Sequence, residues 1–458
     1  MLWRRLMSPL SPLSTSLQQC STLQSNSYSM RELRRRLMEP MVMPKTYSLQ
    51  SMAPQDLLAA LKPYVDSKRG ARPMRDGFFY HWIGSVTRLM HAYSAQQLVE
   101  ILGLLTALRE FTPPLPRHFF HLWGTAFQRA YKLQPLQVDE LLNMAGSLAL
   151  LDPQAWMPSS IMTSWSSMFA AAAANSPGIP SELWAQGLRA LTRWQVRPDV
   201  NFLRQLEVSL RSNNSHTTAE DAATMLYSLA YLNQDKGLEE LLSLAARSFD
   251  SGLAVQDVEY AGEVAFAASY ADRLGKLDSE SRARIMRFLL ESLGTSELLS
   301  RRALRNIHLS RGSLFSSGLP YHVEEQISIA SESMYQETRK AKKEMDGLRM
   351  SLINAAQKEF SWVSYNKWNH QIMSRLELVV HGLDRSVVVH VLGPCDMLLD
   401  SSTQISTRPS GMVVVEQDEL RRCGFQRCLL HLYELAEVPT VELQGSFFCS
   451  LIVRATQC

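Results

Sequence analysis

The sequence has no uninterrupted apolar segment that approaches the ~20 residues a membrane-spanning helix requires. The apolar run at 168–174 is too short for this purpose and follows serines at 164, 166 and 167. We therefore expect no membrane partner. With 458 residues, of which 46% are hydrophobic, the chain can bury substantial cores and should fold as two or three domains.

Cysteine is scarce, and no two of the six cysteines form a CxxC pair. A structural zinc site needs closely spaced soft ligands, usually in pairs, so we expect no metal site. Five cysteines lie in the last 64 residues, either paired as disulfides or buried as free thiols, and the lack of other secretion signals favours thiols. The six are Cys20, Cys395, Cys423, Cys428, Cys449 and Cys458.

Signatures of common enzyme classes are missing from the sequence. It contains no Walker A loop, no GxGxxG and no HExxH. Residues 364–367 match the SxxK pattern, but four residues match by chance and the companion motifs are missing. We therefore expect a protein without a catalytic site and without a cofactor.

Acidic residues are missing from the amino terminus up to Glu32, while Arg4, Arg5 and Arg31 accompany a stretch rich in serine, leucine and glutamine. This composition is typical of an organellar transit peptide. It predicts that residues 1–45 direct the protein to the mitochondrion, with the plastid as the alternative. A disordered tail without targeting value is the competing interpretation.

The rest of the chain lacks a net positive charge. Residues 1–45 hold seven Lys and Arg against two Asp and Glu, which leaves 40 basic and 42 acidic residues for the remainder. Such a body would not attract every nucleic acid through its overall charge. If the protein binds RNA, it must do so with local patches.

What the sequence does contain is a pattern that recurs about every forty residues between 94 and roughly 293. Each copy opens with polar or capping residues and closes on an alanine between large apolar side chains, and most are followed by a breaker segment and a second helix. The period predicts an α-solenoid, capped by residues 51–92. The alternative is an all-α protein with irregularly placed alanines. The marker alanines are Ala107, Ala149, Ala190, Ala230 and Ala267.

A group of arginines follows the repeats without compensating acids nearby in the sequence. No acidic residue lies between Glu297 and Glu324. On a helix Arg301 and Arg305 share one face, which suits contacts with RNA phosphates. A solvated helix face is the competing interpretation. The predicted contacts are Arg301, Arg302, Arg305 and Arg311.

Beyond this group the pattern changes. Residues 312–320 are typical of a linker, and 323–358 predict one or two helices of mixed charge. After Phe360, β-branched runs predict short strands, of which 386–391 should be a central one. The predicted strands are 376–380, 386–391 and 425–433, a helix is predicted at 416–423, and 441–453 is also strand-like.

These last residues resemble a known family, the RAP domains. Residues 387–394 are similar to the family's strand and Asp-Gly-Pro signature, and 409–411 followed by 420–425 resembles its helix and Gly-aromatic turn. Residues 433–435 stand where the family carries an aromatic-Glu-Trp end. The resemblance covers about 348–440. Helical, octotricopeptide-like repeats before a terminal RAP domain are the family's usual layout.

The resemblance implies a restriction-endonuclease-like fold and a role on organellar transcripts or ribosomal RNA. Leu392 stands where the family has an aspartate, and Gln417 stands about where a lysine is expected. Such nucleases hold a divalent cation with acidic residues and use lysine to assist the attacking water, so we expect no cleavage. The resemblance also implies RNA contacts at Arg408, Arg421, Arg422 and Arg427.

Together these observations predict a mainly α chain, an α-solenoid of helical-hairpin repeats followed by a small α/β domain. The expected divisions are 1–45, 46–311, 312–347 and 348–458. The expected function is non-catalytic RNA binding in mitochondrial gene expression, as an rRNA-binding component of the mitochondrial ribosome with RNA and ribonucleoprotein proteins as partners. The alternatives are a transcript stability or processing factor, a metal-dependent ribonuclease, and a protein-only scaffold.

Overall fold

The computed structural model describes residues 49–66, 76–110, 112–151, 158–176, 178–212, 217–250, 259–294, 298–315, 318–340, 347–381, 385–393, 396–400 and 406–457. The predicted transit peptide, 1–45, lies outside these ranges. Within them the chain is mainly helical, with a small mixed sheet near the carboxy terminus, as predicted. No helix in these ranges has both the length and the apolar character needed to cross a membrane.

The described ranges contain eighteen α-helices and six β-strands. The helices are α1 (Pro54–Asp66), α2 (Asp76–Arg88), α3 (Ala95–Leu108), α4 (Arg117–Leu133), α5 (Val138–Leu151), α6 (Ser159–Ala174), α7 (Ser181–Trp194), α8 (Val200–Ser212), α9 (Ala219–Tyr231), α10 (Leu238–Asp250), α11 (Glu259–Arg273), α12 (Ser279–Gly294), α13 (Arg301–Leu314), α14 (Tyr321–Lys340), α15 (Gly347–Glu359), α16 (Gly411–Arg422), α17 (Leu432–Glu437) and α18 (Val441–Gln457). The strands are β1 (Trp362–Asn369), β2 (Ser374–His381), β3 (Val387–Leu392), β4 (Met397–Leu399), β5 (Ser406–Pro409) and β6 (Gln426–His431).

Residues up to Ala126 and residues from Phe127 onward form two compact units. In the first unit α1 packs against α2 and α3. In the second, the helices that open successive hairpins lie side by side, in the order α5, α7, α9, α11 and α13. Behind them α6 packs on α8, and α10 packs on α12. The second unit also contains the α/β domain.

A buried tryptophan links the two helices in each of the first three hairpins. Its indole N–H donates to a leucine carbonyl in the preceding helix, 24 or 25 residues earlier. The tryptophans follow one another at intervals of 41 and 42 residues, so they mark the same period as the alanines. The pairs are Trp82 and Leu57 (2.7 Å), Trp123 and Leu98 (3.0 Å), and Trp165 and Leu141 (3.1 Å).

In the fourth hairpin, formed by α7 and α8, the tryptophan lies in the first helix and not in the second. Trp184 is the fourth residue of α7, the position that the hydrogen-bonded leucine occupies in the first helix of the other hairpins. Its indole N–H donates to the hydroxyl of Ser209 in α8 at 2.9 Å. The segment predicted as a cap, 51–92, contains the first of these hairpins, with the same hydrogen bond as the next two.

The marker alanines do not share one environment. Ala230 and Ala267 are fully buried, whereas Ala107, Ala149 and Ala190 are only half-buried. A close approach between two of the opening helices occurs at a glycine instead. A Cβ atom on Gly262 of α11 would lie 2.6 Å from the Cα atom of Ala303 of α13, so glycine rather than alanine permits this approach.

The carboxy-terminal sheet has the strand order β1-β2-β3-β6. β1, β2 and β3 are antiparallel neighbours, and β6 returns parallel to β3 after α16. The predicted strands at 376–380 and 386–391 are confirmed, and β3 is one of the two inner strands. The helix predicted at 416–423 is the second half of α16, which ends at Arg422. The strand predicted at 425–433 is β6, but it ends at His431, and the next two residues begin α17. Helices α15 and α18 supply Leu352, Ile353, Ala356, Phe448 and Ile452 to the core on one face.

Two predictions near the carboxy terminus are wrong. Residues 441–453 form part of α18 and not a strand, because Phe448 and Ile452, four residues apart, both face the core. The predicted linker 312–320 begins inside α13, which continues to Leu314.

The described cysteines are free thiols, namely Cys423, Cys428 and Cys449. Burial raises the pKa of Cys428 to about 11, so this thiol is neutral at physiological pH. Cys20, Cys395 and Cys458 lie outside the described residues.

Candidate nucleic-acid interface

A groove of about 330 Å³ lies between α7, α9, α11 and α13. Its walls combine arginine and tyrosine side chains with small hydroxyl groups and one buried carboxylate. The lining residues are Arg189, Thr192, Arg193, Gln195, Thr224, Tyr227, Ser228, Tyr231, Glu263 and Arg302.

Two exposed arginines of α7 are held in place by hydrogen bonds to neighbouring helices. Arg189 donates from Nη2 to Oγ1 of Thr224 at 3.2 Å, and Arg193 donates from Nη2 to the carbonyl oxygen of Ala149 at 2.7 Å. A guanidinium group has five N–H donors, so one such bond orients the group without using up its donors. The pair therefore presents oriented cations at one side of the groove.

The opposite side is formed by Arg302, which spans three helices. Its Cζ atom lies 4.6 Å from the centre of the Tyr227 ring, and its Nη2 donates to Oε1 of Glu263 at 2.9 Å. Burial alone would lower the pKa of Arg302, but attraction by Tyr227 and Glu263 outweighs it and raises that pKa. Arg302 therefore stays charged beside the groove.

The floor of the groove contains two tyrosines of α9. The ring centres of Tyr227 and Tyr231 lie 6.0 Å apart, and Gln195 donates to the hydroxyl of Tyr231 at 3.4 Å. Tyr227 is buried and Tyr231 is half-buried. Aromatic rings stack on nucleobases, and arginines bind phosphates and also stack on bases. The groove thus offers arginines together with the half-buried ring of Tyr231, while the ring of Tyr227 is covered by Arg302.

Sequence reasoning identified only Arg302 among these groove residues. A signal was present, because Arg189 and Arg193 are four residues apart, as are Tyr227 and Tyr231. Each pair stands beside a marker alanine, at Ala190 and Ala230. Comparing the residues next to the markers between repeats would have found both pairs.

The four arginines predicted to lack compensating acids each have a carboxylate partner in the fold. Arg301 and Arg311 bind Glu337 and Glu324 of α14, each at 2.8 Å or less. Arg302 binds Glu263, and Arg305 binds Glu416 of α16. Packing brings acids that are distant in the sequence against these arginines, which corrects the expectation of uncompensated charge.

Helix α16 of the α/β domain packs against α9, α11 and α13, and it forms ion pairs with α11 and α13. Arg273 of α11, only 7% exposed, binds Glu419 at 2.9 Å and the carbonyl oxygen of Val415 at 2.7 Å. Arg421 and Arg422 are exposed, and each is near an acid of its own helix, Asp418 at 3.3 Å and Glu419 at 3.2 Å. The acids of α16 thus link α11 and α13 to the α/β domain.

The last two predicted RNA contacts, Arg408 and Arg427, differ in exposure. Arg408 is exposed on β5, and together with burial its charge lowers the pKa of Arg197. Arg427 of β6 is half-buried, and burial lowers its pKa to about 9. Its Nε atom has no hydrogen-bond partner within the described residues. Arg408 is therefore available to a ligand, whereas Arg427 is largely enclosed.

The two residues that depart from the RAP pattern are buried. Leu392 is 2% exposed and packs with Met397 and Val413 in a small hydrophobic cluster. Gln417 is 4% exposed. Asp396, the nearest acid to Leu392 in the sequence, accepts a hydrogen bond from the backbone N–H of Gly393 at 2.9 Å and so closes a turn.

Within the described residues, no three or more His, Cys, Asp or Glu side chains lie together so that they could hold a metal ion. The chain matches no family model, and it matches no curated protein.

Proposed function

We propose that this protein binds single-stranded RNA without cleaving it, through the groove between α7, α9, α11 and α13. One observation carries the proposal: oriented arginines of α7 and α13 and tyrosines of α9 line the same groove. Unpaired bases are accessible for stacking, whereas bases inside a duplex are not, which favours single-stranded segments.

We further propose that the protein acts in mitochondrial gene expression, as an rRNA-binding component of the mitochondrial ribosome. The amino-terminal composition supports import. The order of helical hairpins followed by a small mixed sheet is compatible with the layout of RAP proteins. The chain beyond residue 45 has nearly equal numbers of basic and acidic residues. This balance favours a stable place in a ribonucleoprotein over general attraction to nucleic acids.

A second candidate function is a scaffold that binds only proteins. One observation favours it, namely that Arg301, Arg305 and Arg311 are all occupied by carboxylates of the same chain. Side chains paired in this way contribute less to phosphate binding, since the internal pair must first be broken or shared.

Fluorescence anisotropy with a labelled, unstructured 12-nucleotide RNA separates these functions. The RNA-binding proposal expects saturable binding that a duplex of the same length competes for poorly. Absence of binding at low salt would favour the protein scaffold. Adding Mg²⁺ or Mn²⁺ should leave the RNA intact, and metal-dependent cleavage would instead favour the ribonuclease alternative.

The ribosomal proposal is tested by sedimenting the tagged protein from lysed mitochondria with and without RNase. We expect the protein to move with a ribosomal subunit and to leave that fraction after RNase treatment. A protein found in light fractions under both conditions would contradict this role.

A further inference from the structure

The carboxyl end of α7 is joined to strand β4 of the α/β domain by backbone hydrogen bonds. The N–H of Leu399 donates to the carbonyl oxygen of Gln195 at 2.8 Å, and the N–H of Arg197 donates to the carbonyl oxygen of Leu399 at 2.9 Å. Between them the buried Val196 forms a parallel bridge with Leu399. An ion pair between Arg197 and Asp400 at 3.5 Å continues the contact. Strand β4 thus fixes the turn that follows α7.

The end of α9 is held by the next part of the α/β domain. Asn233, two residues beyond α9, donates from Nδ2 to the carbonyl oxygen of Pro409 in β5 at 3.1 Å, and its Oδ1 accepts from the hydroxyl of Tyr270 at 2.6 Å. A Cβ atom on Gly411, which begins α16, would lie 3.3 Å from the Cα atom of Tyr231. Strands β4 and β5 and the start of α16 therefore contact the ends of both helices.

These two helix ends also supply residues of the groove. Gln195 and Tyr231 both line it, and the side-chain amide of Gln195 donates to the hydroxyl of Tyr231 at 3.4 Å. The arginines of the groove are oriented by other contacts, namely the hydroxyl of Thr224 in α9 and the carbonyl oxygen of Ala149 in α5. Docking of the α/β domain therefore acts on the aromatic part of the groove and not on its cations.

We propose that the α/β domain is a positioning element of the RNA groove, which holds the ends of α7 and α9 so that Tyr231 is oriented for stacking on a base. Gln195 and Asn233 are the positioning residues. Gln195 joins the two parts, because its carbonyl oxygen binds β4 while its side chain binds Tyr231. A ring that is fixed before binding loses less conformational entropy when a base stacks on it. This inference rests on the proposed function and deepens it, and it does not require the arginines of the α/β domain to touch RNA.

The test removes one contact with the α/β domain at a residue that does not line the groove. Asn233→Asp keeps the acceptor for Tyr270 and a side chain that tolerates the left-handed backbone there (φ 51°), but it loses the donor to Pro409. Asn175→Asp is the matched control, because Asn175 also follows a helix and its side-chain amide donates to Ala171 of that same helix. Both variants introduce the same charge at a helix end.

Anisotropy is measured with full-length protein and a 12-nucleotide RNA, and again with an abasic oligonucleotide of equal length and charge. We expect Asn233→Asp to bind the RNA at least about 5-fold more weakly than the wild type, the lower end of typical coupling between two sites. It should bind the abasic strand like the wild type, because the arginines keep their own supports. Asn175→Asp should match the wild type on both strands.

A second measurement uses the wild type alone. Coupling between two sites is reciprocal, so RNA should slow amide hydrogen exchange at Leu399 and Arg197, whose N–H groups join β4 to the turn after α7. Exchange that RNA leaves unchanged at both amides would contradict the coupling.

The abasic strand separates positioning from a general structural effect. Wild-type affinity of Asn233→Asp for the RNA would overturn the positioning role and leave the groove proposal intact. An equal loss on RNA and abasic strand would also overturn it, because the effect would not depend on bases. If the wild type bound no RNA at all, the proposed function would fail together with this inference.

Discussion

The first residue of α16, Gly411, lies directly against the carbonyl oxygen of Ala230 at the end of α9. A Cβ atom built on Gly411 would lie 1.8 Å from that oxygen. The amino terminus of one helix thus meets the carboxy terminus of another, where their partial charges attract. Glycine at 411 is therefore required by the way the α/β domain packs on the helical hairpins.

Substituting Gly411→Ala should loosen this packing. The clash involves backbone, so we expect a destabilisation at or above the roughly 1–3 kcal/mol typical of overpacking. Thermal unfolding together with hydrogen exchange in α16 and α9 measures it. Gly146→Ala is the matched control, since nothing lies within 4 Å of a Cβ there. Equal unfolding midpoints for the wild type and Gly411→Ala would contradict the packing described.

The ion pair of Arg273 and Glu419 should matter far more than the exposed pair of Arg311 and Glu324. Arg273 is 7% exposed and Glu419 is 11% exposed, so Glu419→Gln leaves a buried cation with less compensation. We expect a loss of about 3 kcal/mol in the free energy of unfolding. Glu324→Gln at the exposed pair should cost less than about 1 kcal/mol.

Urea denaturation of both variants measures this difference. Similar losses of unfolding free energy for the two variants would show that the pair of Arg273 and Glu419 does not behave as a buried ion pair. The larger loss should coincide with faster proteolysis between the hairpins and the sheet, since the pair links those two parts of the chain.

Acidification should reduce the stability of the fold around His308, because its buried ring is costly to protonate. Its Nε2 lies 2.9 Å from the carbonyl oxygen of His370, while its buried Nδ1 has no partner within the described residues. Burial, assisted by the charge of Arg311, lowers the pKa of His308. The unfolded chain therefore binds this proton more readily, so the stability from the neutral ring is present above about pH 6.5 and is lost as the pH falls through the folded-state pKa.

The comparison is between the wild type and His308→Gln, which keeps a side-chain donor without the titration. Unfolding midpoints measured from pH 7.5 to pH 5 should fall more steeply for the wild type. If the unfolding midpoints of the two proteins fell equally with pH, the pKa of His308 would be the same in the folded and unfolded chain, which contradicts the prediction.

Sequence reasoning succeeded where a local pattern determines the local structure. The β-branched run at 386–391 predicts a buried strand, and it is one of the two inner strands of the sheet. It failed for 441–453, because apolar residues there suit either a strand or a helix, and only packing of Phe448 and Ile452 on the core decides between them.

The candidate interface was less accessible to sequence reasoning, because charge compensation is a property of the fold. Glu416 is 111 residues from Arg305, yet the two form an ion pair. In contrast, the tryptophan period of 41 and 42 residues was visible in the sequence. This period predicts that the helical hairpins already begin near residue 54. It also marks the tryptophans whose indole N–H donates to a leucine carbonyl in the first three hairpins.

The central claim is that the groove binds RNA phosphates through Arg189 and Arg193. The most direct test measures RNA affinity against salt concentration for Arg189→Ala/Arg193→Ala and for Arg204→Ala/Arg211→Ala, which removes the same charge from α8. We expect the groove variant to bind more weakly and its log-log salt slope to become shallower by about 0.7 for each phosphate that is no longer bound, while the α8 variant matches the wild type. Equal affinities and slopes for the two variants would contradict the claim.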